Sequence, residues 1–449
     1  MRLSLLALLL CGAPAWAQPV VVVNQGAFGA DDGSVTVLPD DLGGAAVQRF
    51  ENQLGSILQS AALLGDQLYL VSNSANRIEV VDASTFARVG QIAGGFSSPR
   101  YLVDAGDQAY VSNQVYGGTS YVLPVDLAGR TPGTPIEVDG LPEGMAPVPA
   151  LRKVYVALGA FGPGAGGVDS LAVLDVTTDA VAGYVEIGCY ASFVLSDLGS
   201  EVLAFCPDTD EAVVVDVATD AVVQRIAFGE DIGDPFGVGQ GVAYGATALA
   251  RRAIPAPPFY VVTASGVAVL ERGAGGWAIT RRVAIPDADT LPVSTVGVRP
   301  DGALLLGRPD PAAPFSADGT VTVHDGATGA LLATYAAGVY PAAVVAQDEA
   351  FFVAAADAPA EAAGLGLALA GPNPLRQSGA LALTLGAAAD VRVVLVDVLG
   401  RTVAVLAEGT RAAGTHRIAV DAGGLPAGTY LARVTAGGRA ATLPLTVAR

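Results

Sequence analysis

A short apolar strand closed by an acidic turn recurs along this chain. Ile78-Glu79-Val80-Val81-Asp82 runs into Ala83-Ser84-Thr85, Leu171 to Asp175 into Val176-Thr177-Thr178, and Ala212 to Asp216 into Val217-Ala218-Thr219. Weaker copies span Val122 to Asp126, Val267 to Glu271 and Val321 to Asp325, and the first copy is Val35 to Asp40, which makes seven. Each reads as a strand followed by an Asx or Thr-stabilised turn. The anchors lie 41 to 55 residues apart, a spacing that suits a unit of four short antiparallel strands.

Before most anchors runs a second strand, such as Gln67 to Asn73 or Gln108 to Asn113, whose alternation marks a half-buried element. A Val-rich strand such as Val222 to Phe228 follows the anchor. A unit of this kind cannot bury both faces alone, so copies stack radially and close into a seven-bladed β-propeller. Val20 to Asn24 reads as a second strand without its first, and Ala342 to Ala346 as an orphan first strand, so pairing them closes the ring. Phe351 to Ala355 also reads as a second strand, which leaves an eighth, partial blade as the alternative.

The N-terminus has the order of a secretory signal over residues 1–17: Arg2, the apolar run Leu3 to Leu10, then Ala15-Trp16-Ala17. Lipidation at Cys11 is the alternative, although Leu10 stands where lipoprotein signals carry a small residue. No later run reaches the roughly 18 apolar residues of a membrane span. The expected location is therefore secreted or at the outer cell surface. In that oxidising setting Cys189 and Cys206, at the ends of a hairpin turning at Asp197-Leu198-Gly199-Ser200, are candidates for a disulfide, with two buried thiols as the alternative.

The formal net charge of -19 argues against a nucleic-acid partner. Only His324 and His416 are histidines, too few for a zinc site or a Ser-His-Asp triad, and the sequence points to no cofactor. A lone strand histidine is expected to be packed or turn-bonded. The Gly-rich run Gly162 to Gly167 leads into no helix and reads as a blade loop. Asp31-Asp32, Glu230-Asp231 with Asp234, and Asp287 with Asp289 offer oxygen ligands for calcium, but none has a full ligand spacing, and solvated loop acids are the expected reading.

A propeller gathers its variable loops at one mouth, formed by loops after second strands and before first strands. Phe28, Asn73, Asn76, Arg77, Arg100, Tyr101, Asn113, Tyr116, Phe161, Tyr190, Phe236 and Tyr340 are expected there. Aromatic and amide groups suit a planar or sugar-like ligand, and as loop-tip residues Arg100 and Tyr101 are expected to carry few core contacts. The alternative is that Asn73 and Asn113 form turns and the aromatics fill gaps between blades.

Asn24 to Gly29, Gly33-Ser34-Val35, Tyr69 to Asp82 and Ser98-Pro99-Arg100-Tyr101 together resemble the YncE-like propellers of bacterial cell surfaces, over residues 20–355. The resemblance implies capture of a small molecule, in some relatives a corrinoid, beside an outer-membrane transporter. A propeller hydrolase or lactonase is the rival, with Glu143, Asp169 or Glu230 holding a metal or acting as base at the funnel; a structural or adhesive role is the third reading.

Residues 357–371 read as an Ala, Pro and Gly linker between a propeller of residues 18–356 and a small C-terminal immunoglobulin-like sandwich of residues 372–449. Pro372-Asn373-Pro374, Asp397 to Arg401 and Leu425 to Tyr430 resemble, in order, the motifs of the type IX secretion system's C-terminal sorting domain. That resemblance implies the type IX machinery as a partner. Leu443-Pro444-Leu445 departs from it, standing where the family carries a basic residue.

Overall fold

The computed structural model describes residues 20–39, 42–106, 108–159, 166–197, 199–235, 237, 239–244, 257–299, 301–346, 365–369, 375, 378–396, 402–425, 428–436 and 439–447. The chain divides into two compact units, Met1–Val353 and Ala354–Arg449. Both are all-β, and one 3-10 turn, Pro149–Leu151, is the sole helical element among the described residues. The signal segment, Cys11 and the strand expected from Phe351 to Ala355 lie outside those residues.

The first unit is a β-propeller whose described residues form seven antiparallel sheets. Blade two is representative: Leu58–Leu64, Gln67–Ser72, Arg77–Asp82 and Arg88–Ala93 pair in chain order from the inside outward. The inner strands are buried on both faces, whereas the outermost strand is mostly exposed and buries only Ile92. Burial on both faces explains why the third strands read as continuous Val and Leu runs.

The cores lie between blades. Val71, Ile78 and Val80 of blade two pack with Leu102, Val111 and Val125 of blade three, and Tyr155 and Val173 of blade four with Val194, Val202 and Val213 of blade five. Each fully buried Val or Leu contributes roughly 1.5–3 kcal/mol relative to exposure, so a blade without a neighbour forfeits most of its stabilisation. The ring closes where Val20–Asn24 pairs with Pro341–Val345, in the register Val21↔Val345, Val22↔Val344 and Val23↔Ala343. Val22 and Leu38 then complete a core with Leu305 and Val321 of the last blade.

The acidic anchors end the third strands. Asp82 Oδ1 accepts from the Ser84 and Thr85 amides at 3.1 and 2.7 Å and from the Thr85 hydroxyl at 2.7 Å. Asp216 and Asp325 repeat the pattern. Four residues past the anchors, Phe86, Arg130, Asp179, Asp220 and Gly329 all turn into the left-handed region, with φ between 50° and 74°. Two of these turn residues also join blades: Tyr110 Oη donates to Asp179 Oδ1 at 2.7 Å, and Lys153 Nζ and Tyr155 Oη both bond Asp220. Burial, reinforced by the neighbouring carboxylate, pushes both tyrosine hydroxyls up, so they stay donors. Glu271 departs from the pattern. It sits inside its strand opposite Ala278, and the hairpin turns later, between Gly273 and Gly276.

The second unit stacks a sheet of Leu365–Leu369, Ser378–Leu385 and Gly414–Asp421 with one of Thr402–Arg411, Ala389–Val396, Gly428–Ala436 and Arg439–Val447. Leu381, Leu383, Val393, Ile418, Tyr430, Val434 and Leu445 form its core. Leu365–Leu369 corrects the expected linker. Its residues pair with Leu381 to Leu385, so part of 357–371 belongs to the sandwich, small residues having hidden the strand pattern. Pro372 to Pro374 and Asp397 to Arg401 lie outside the described residues.

Acid should remove propeller stability in two stages. His324 is turn-bonded as well as packed: its Nδ1–H donates to Gly329 O at 2.9 Å, and burial holds the imidazole below its ordinary value of 6.5. The stability this contributes is full above pH 6.5 and is lost as pH falls through the lower folded value. Asp82, held at about 2 by the Thr85 and Ser84 donors, and Asp216 and Asp325, lowered in the same way, contribute stability that is full above 3.8. That contribution is lost as pH falls toward about 2. Calorimetry should show Tm declining first below about pH 6.5 and again below about pH 4. His324→Leu should abolish the first decline and leave the second.

Candidate functional site

The innermost strands of consecutive blades pack side by side around the axis. A cavity of about 310 Å3 opens at the end where these strands begin and the second strands finish. Arg100 and Tyr101 enter it from the start of Pro99–Asp104, Ser192 and Phe193 from the start of Phe193–Ser196, and Glu143 from the residues before Met145–Val148. Phe205 and Asp208 come from the end of Glu201–Cys206 and the turn after it. Gly233, Asp234, Gly237, Gly239 and Gly241 supply another wall.

A buried polar network forms one side. Arg100 and Tyr101 are 6 % and 8 % exposed. Arg100 Nε donates to Glu143 Oε1 and Oε2 at 2.9 and 3.0 Å, and Nη1 donates to Gln59 Oε1 at 2.5 Å. Gln114 Nε2 donates to Glu143 Oε1 at 3.1 Å, and Tyr116 Oη donates to Gln114 Oε1 at 2.9 Å. Burial alone would neutralise both members of the pair, pushing the Glu143 carboxyl up; Glu143 holds the Arg100 guanidinium charged, above its ordinary range. Burial pushes the Tyr101 hydroxyl up, and it stays protonated.

Aromatic rings line the rest. Tyr101 and Phe193 meet edge to face with centroids 4.8 Å apart, and Gly144 admits this contact because a Cβ there would lie 2.5 Å from the Phe193 ring. A smaller cavity of about 90 Å3, lined by these two rings and by Leu102 to Asp104, Met145 and Val194, lies deeper along the inner strands. The Cys189–Cys206 disulfide, with Cα atoms 5.9 Å apart, ties the loop bearing Tyr190 to the strand bearing Phe205. The Tyr190 amide also donates to Asp208 Oδ1 at 3.0 Å. A Cβ on Gly159 would lie 2.4 Å from the Tyr190 carbonyl carbon, so only glycine permits this approach.

Of the residues expected at the mouth, Arg100, Tyr101 and Tyr190 line the cavity. The expectation that Arg100 and Tyr101 are loop tips is corrected: they stand on an innermost strand, and their side chains are core. Asn73 Nδ2 donates to Pro99 O, Asn76 Oδ1 accepts from Ser98 N, and Asn113 Oδ1 accepts from Ser97 N, so these amides are spent on loop structure. Arg77 pairs with Glu79 and bonds Gln53 O. Phe28 and Tyr116 are 90 % and 63 % exposed, outside the cavity lining. Tyr340 is fully buried, stacks on Phe315 with centroids 4.8 Å apart, and donates to Asp234 Oδ2 at 2.5 Å. Phe161 and Phe236 lie outside the described residues.

The acids offered for metal or base chemistry are dispersed. Glu143 lines the cavity but is paired with Arg100; Glu230 pairs with Arg282 and accepts from Ser265 N; Asp169 is exposed. Asp32 Oδ1 accepts from Ala27 N, and Asp287 pairs with Arg308. Among the described residues no three His, Cys, Asp or Glu side chains converge to hold a metal ion. Ser192, Phe193, Phe205 and Asp208 were missed because they follow no repeat; the run Gly233 to Gly241, with four glycines in nine residues between anchors, was the available signal.

A family model described as a domain of unknown function (DUF5074) matches residues 19–230, a stretch that ends with the outermost strand of blade five. Among solved structures, Kuenenia stuttgartiensis hydrazine synthase is 18% identical, with 64% of this chain and 89% of that chain covered and a TM-score of 0.50. A functionally unknown protein from Desulfotomaculum acetoxidans is 10% identical, with 74% and 99% covered and a TM-score of 0.55. These likenesses concern the propeller-like fold. No curated protein matches the sequence. Among the described residues no helix is long and apolar enough to cross a membrane.

Truncating Arg100 should destabilise the propeller strongly. Arg100→Ala leaves Glu143 buried without its cation, a loss of about 3–5 kcal/mol. Urea unfolding should show it, and Arg100→Ala combined with Glu143→Ala should recover part of the loss. An Arg100→Ala protein as stable as the parent would mean that the pair lies in water.

Proposed function

We propose that this chain is a secreted or cell-surface binding protein that takes a small molecule into the propeller mouth and retains it unchanged, supplying it to an outer-membrane transporter. The observation that carries this reading is the cavity of about 310 Å3, walled by aromatic rings and by polar groups already fixed in hydrogen bonds. Preformed, largely apolar clefts with a few oriented polar groups are the usual form of small-molecule sites, at about 300–1,000 Å3. The volume stands at the small end of that range. A corrinoid-like ligand, the kind implied by the resemblance to surface-capture propellers, would rest across the mouth with only a part inserted.

Native mass spectrometry of the full chain, incubated with a small-molecule extract of the producing organism's medium, tests the binding role. One adduct per chain is expected, and Ser192→Trp, which fills the cavity, should abolish it while Tm stays within a few degrees; Tyr190→Ala serves if that variant unfolds. Adducts unchanged in both variants, or release of an altered product by the parent protein, would overturn the reading.

The second unit serves in this proposal as an export address read by the type IX machinery. Support comes from the ordered motifs at Pro372, Asp397 and Leu425 and from a sandwich with a core of its own. Deleting residues 354–449 should leave a folded propeller that is retained inside the outer membrane, measured by protease accessibility on whole cells. Unchanged surface delivery would remove the export role.

A further inference from the structure

The charge around the mouth cavity is lopsided. Among the described residues of the lining, Glu143, Asp208 and Asp234 bring three carboxyl groups and Arg100 brings one guanidinium, a formal excess of two negative charges. Arg100 is directed at Glu143 and Gln59, at 2.9 and 2.5 Å, and is already satisfied before any ligand arrives. Asp234 is buried and held in place: its Oδ2 accepts from the Gly239 amide at 2.7 Å and from Tyr340 Oη at 2.5 Å. Asp208 stands exposed beside Tyr190, in the turn that adjoins the segment bearing Asp234, where a Cβ on Gly233 would lie 3.4 Å from Pro207. The field of Asp234 also reaches Tyr101, across the cavity, where it adds to the forces keeping that hydroxyl protonated.

The rings impose the second condition. Tyr101, Tyr190, Phe193 and Phe205 all contribute to the lining, and aromatic faces are electron-rich. An anionic ligand would meet like charge in a cleft whose low-dielectric walls strengthen repulsion. A neutral ligand replaces the carboxylates' lost hydration only with hydrogen bonds from its own donors, without offsetting their charge. A cation with an apolar body satisfies both conditions, since ammonium groups are attracted by carboxylates and by ring faces alike.

We propose that the mouth cavity is selective for a small organic cation, an ammonium or quaternary amine, seated beside Asp234 and Asp208 with its apolar part against the rings. This assignment rests on the binding role above and replaces the corrinoid-like ligand implied by the resemblance with a smaller, cationic one.

Calorimetry with four probes tests it: choline, benzyltrimethylammonium, neohexanol as the uncharged carbon analogue of choline, and benzoate. Both cations should bind one per chain, at least about tenfold tighter than neohexanol, and benzoate should not bind. Asp234→Asn should weaken the cations about tenfold and leave neohexanol unchanged; Asp208→Asn, on the exposed wall and away from Tyr340, should act in the same direction if the first variant disturbs the loop. Neohexanol or benzoate binding as tightly as the cations, with competition from the extract ligand, would overturn the charge assignment and leave the binding role standing. If none of the four probes binds while the extract adduct persists, the assignment falls alone. If the adduct is also missing, both fall.

Discussion

Burial between blades is the constraint on which the propeller depends. A four-stranded sheet with apolar residues on both faces of its inner strands has no stable existence by itself, and each core cluster here draws side chains from two neighbouring blades. Such an arrangement has no natural end, so the two terminal blade faces must find each other. The pairing of Val20–Asn24 with Pro341–Val345 makes them do so by building one blade from both ends of the ring. Hydrogen bonds at this closure fix a register that side-chain packing alone would leave free to slip.

The repeat also explains which polar residues are structural. An anchor aspartate whose side chain collects the amides two and three residues further on ends each such strand at a defined residue, and the left-handed residue that follows starts the outer strand. Where that residue is aspartate, its carboxylate is placed to receive a tyrosine from the preceding blade. One short motif therefore sets a turn, a strand start and a contact between blades. Its acids are unavailable for chemistry, which is why a chain so rich in carboxylates brings few of them to the mouth.

The ring, its closure and the third strands were legible because they are periodic: the same residue types return at the same place in each unit, and physical chemistry gives each one role. Cys189 and Cys206 stood out by their positions near a hairpin's ends, but the choice between a disulfide and two buried thiols needed their Cα separation of 5.9 Å. Arg100 and Tyr101 were assigned to the right end of the ring but to the wrong environment, since a polar pair after Ser98-Pro99 reads as a loop until Glu143, forty-three residues away, is known to face it. Asn73 and Asn113 show the opposite error, being amides in suggestive positions whose hydrogen bonds close the loops around Pro99 and Ser97. Leu365–Leu369 was hidden for a third reason, because glycine and alanine between leucines carry little pattern.

Function in such a fold has to come from where the repeat is broken. The residues between Ala221–Ala227 and Val242–Tyr244 interrupt the repeat with a long connection, and Asp234 within it faces the cavity while bonding Tyr340. Tyr340 immediately precedes the closing strand and holds φ at 52°, a conformation unfavourable for an aromatic residue. The same loop donates Gln240 N to Ala342 O, and Ser294 Oγ bonds Pro341 O beside it. The cavity wall and the ring closure are therefore fastened to each other through Asp234, Gln240 and the strand that starts at Pro341. A ring that opened at this seam would lose its site at the same moment, so the interaction that completes the fold also holds the mouth in shape.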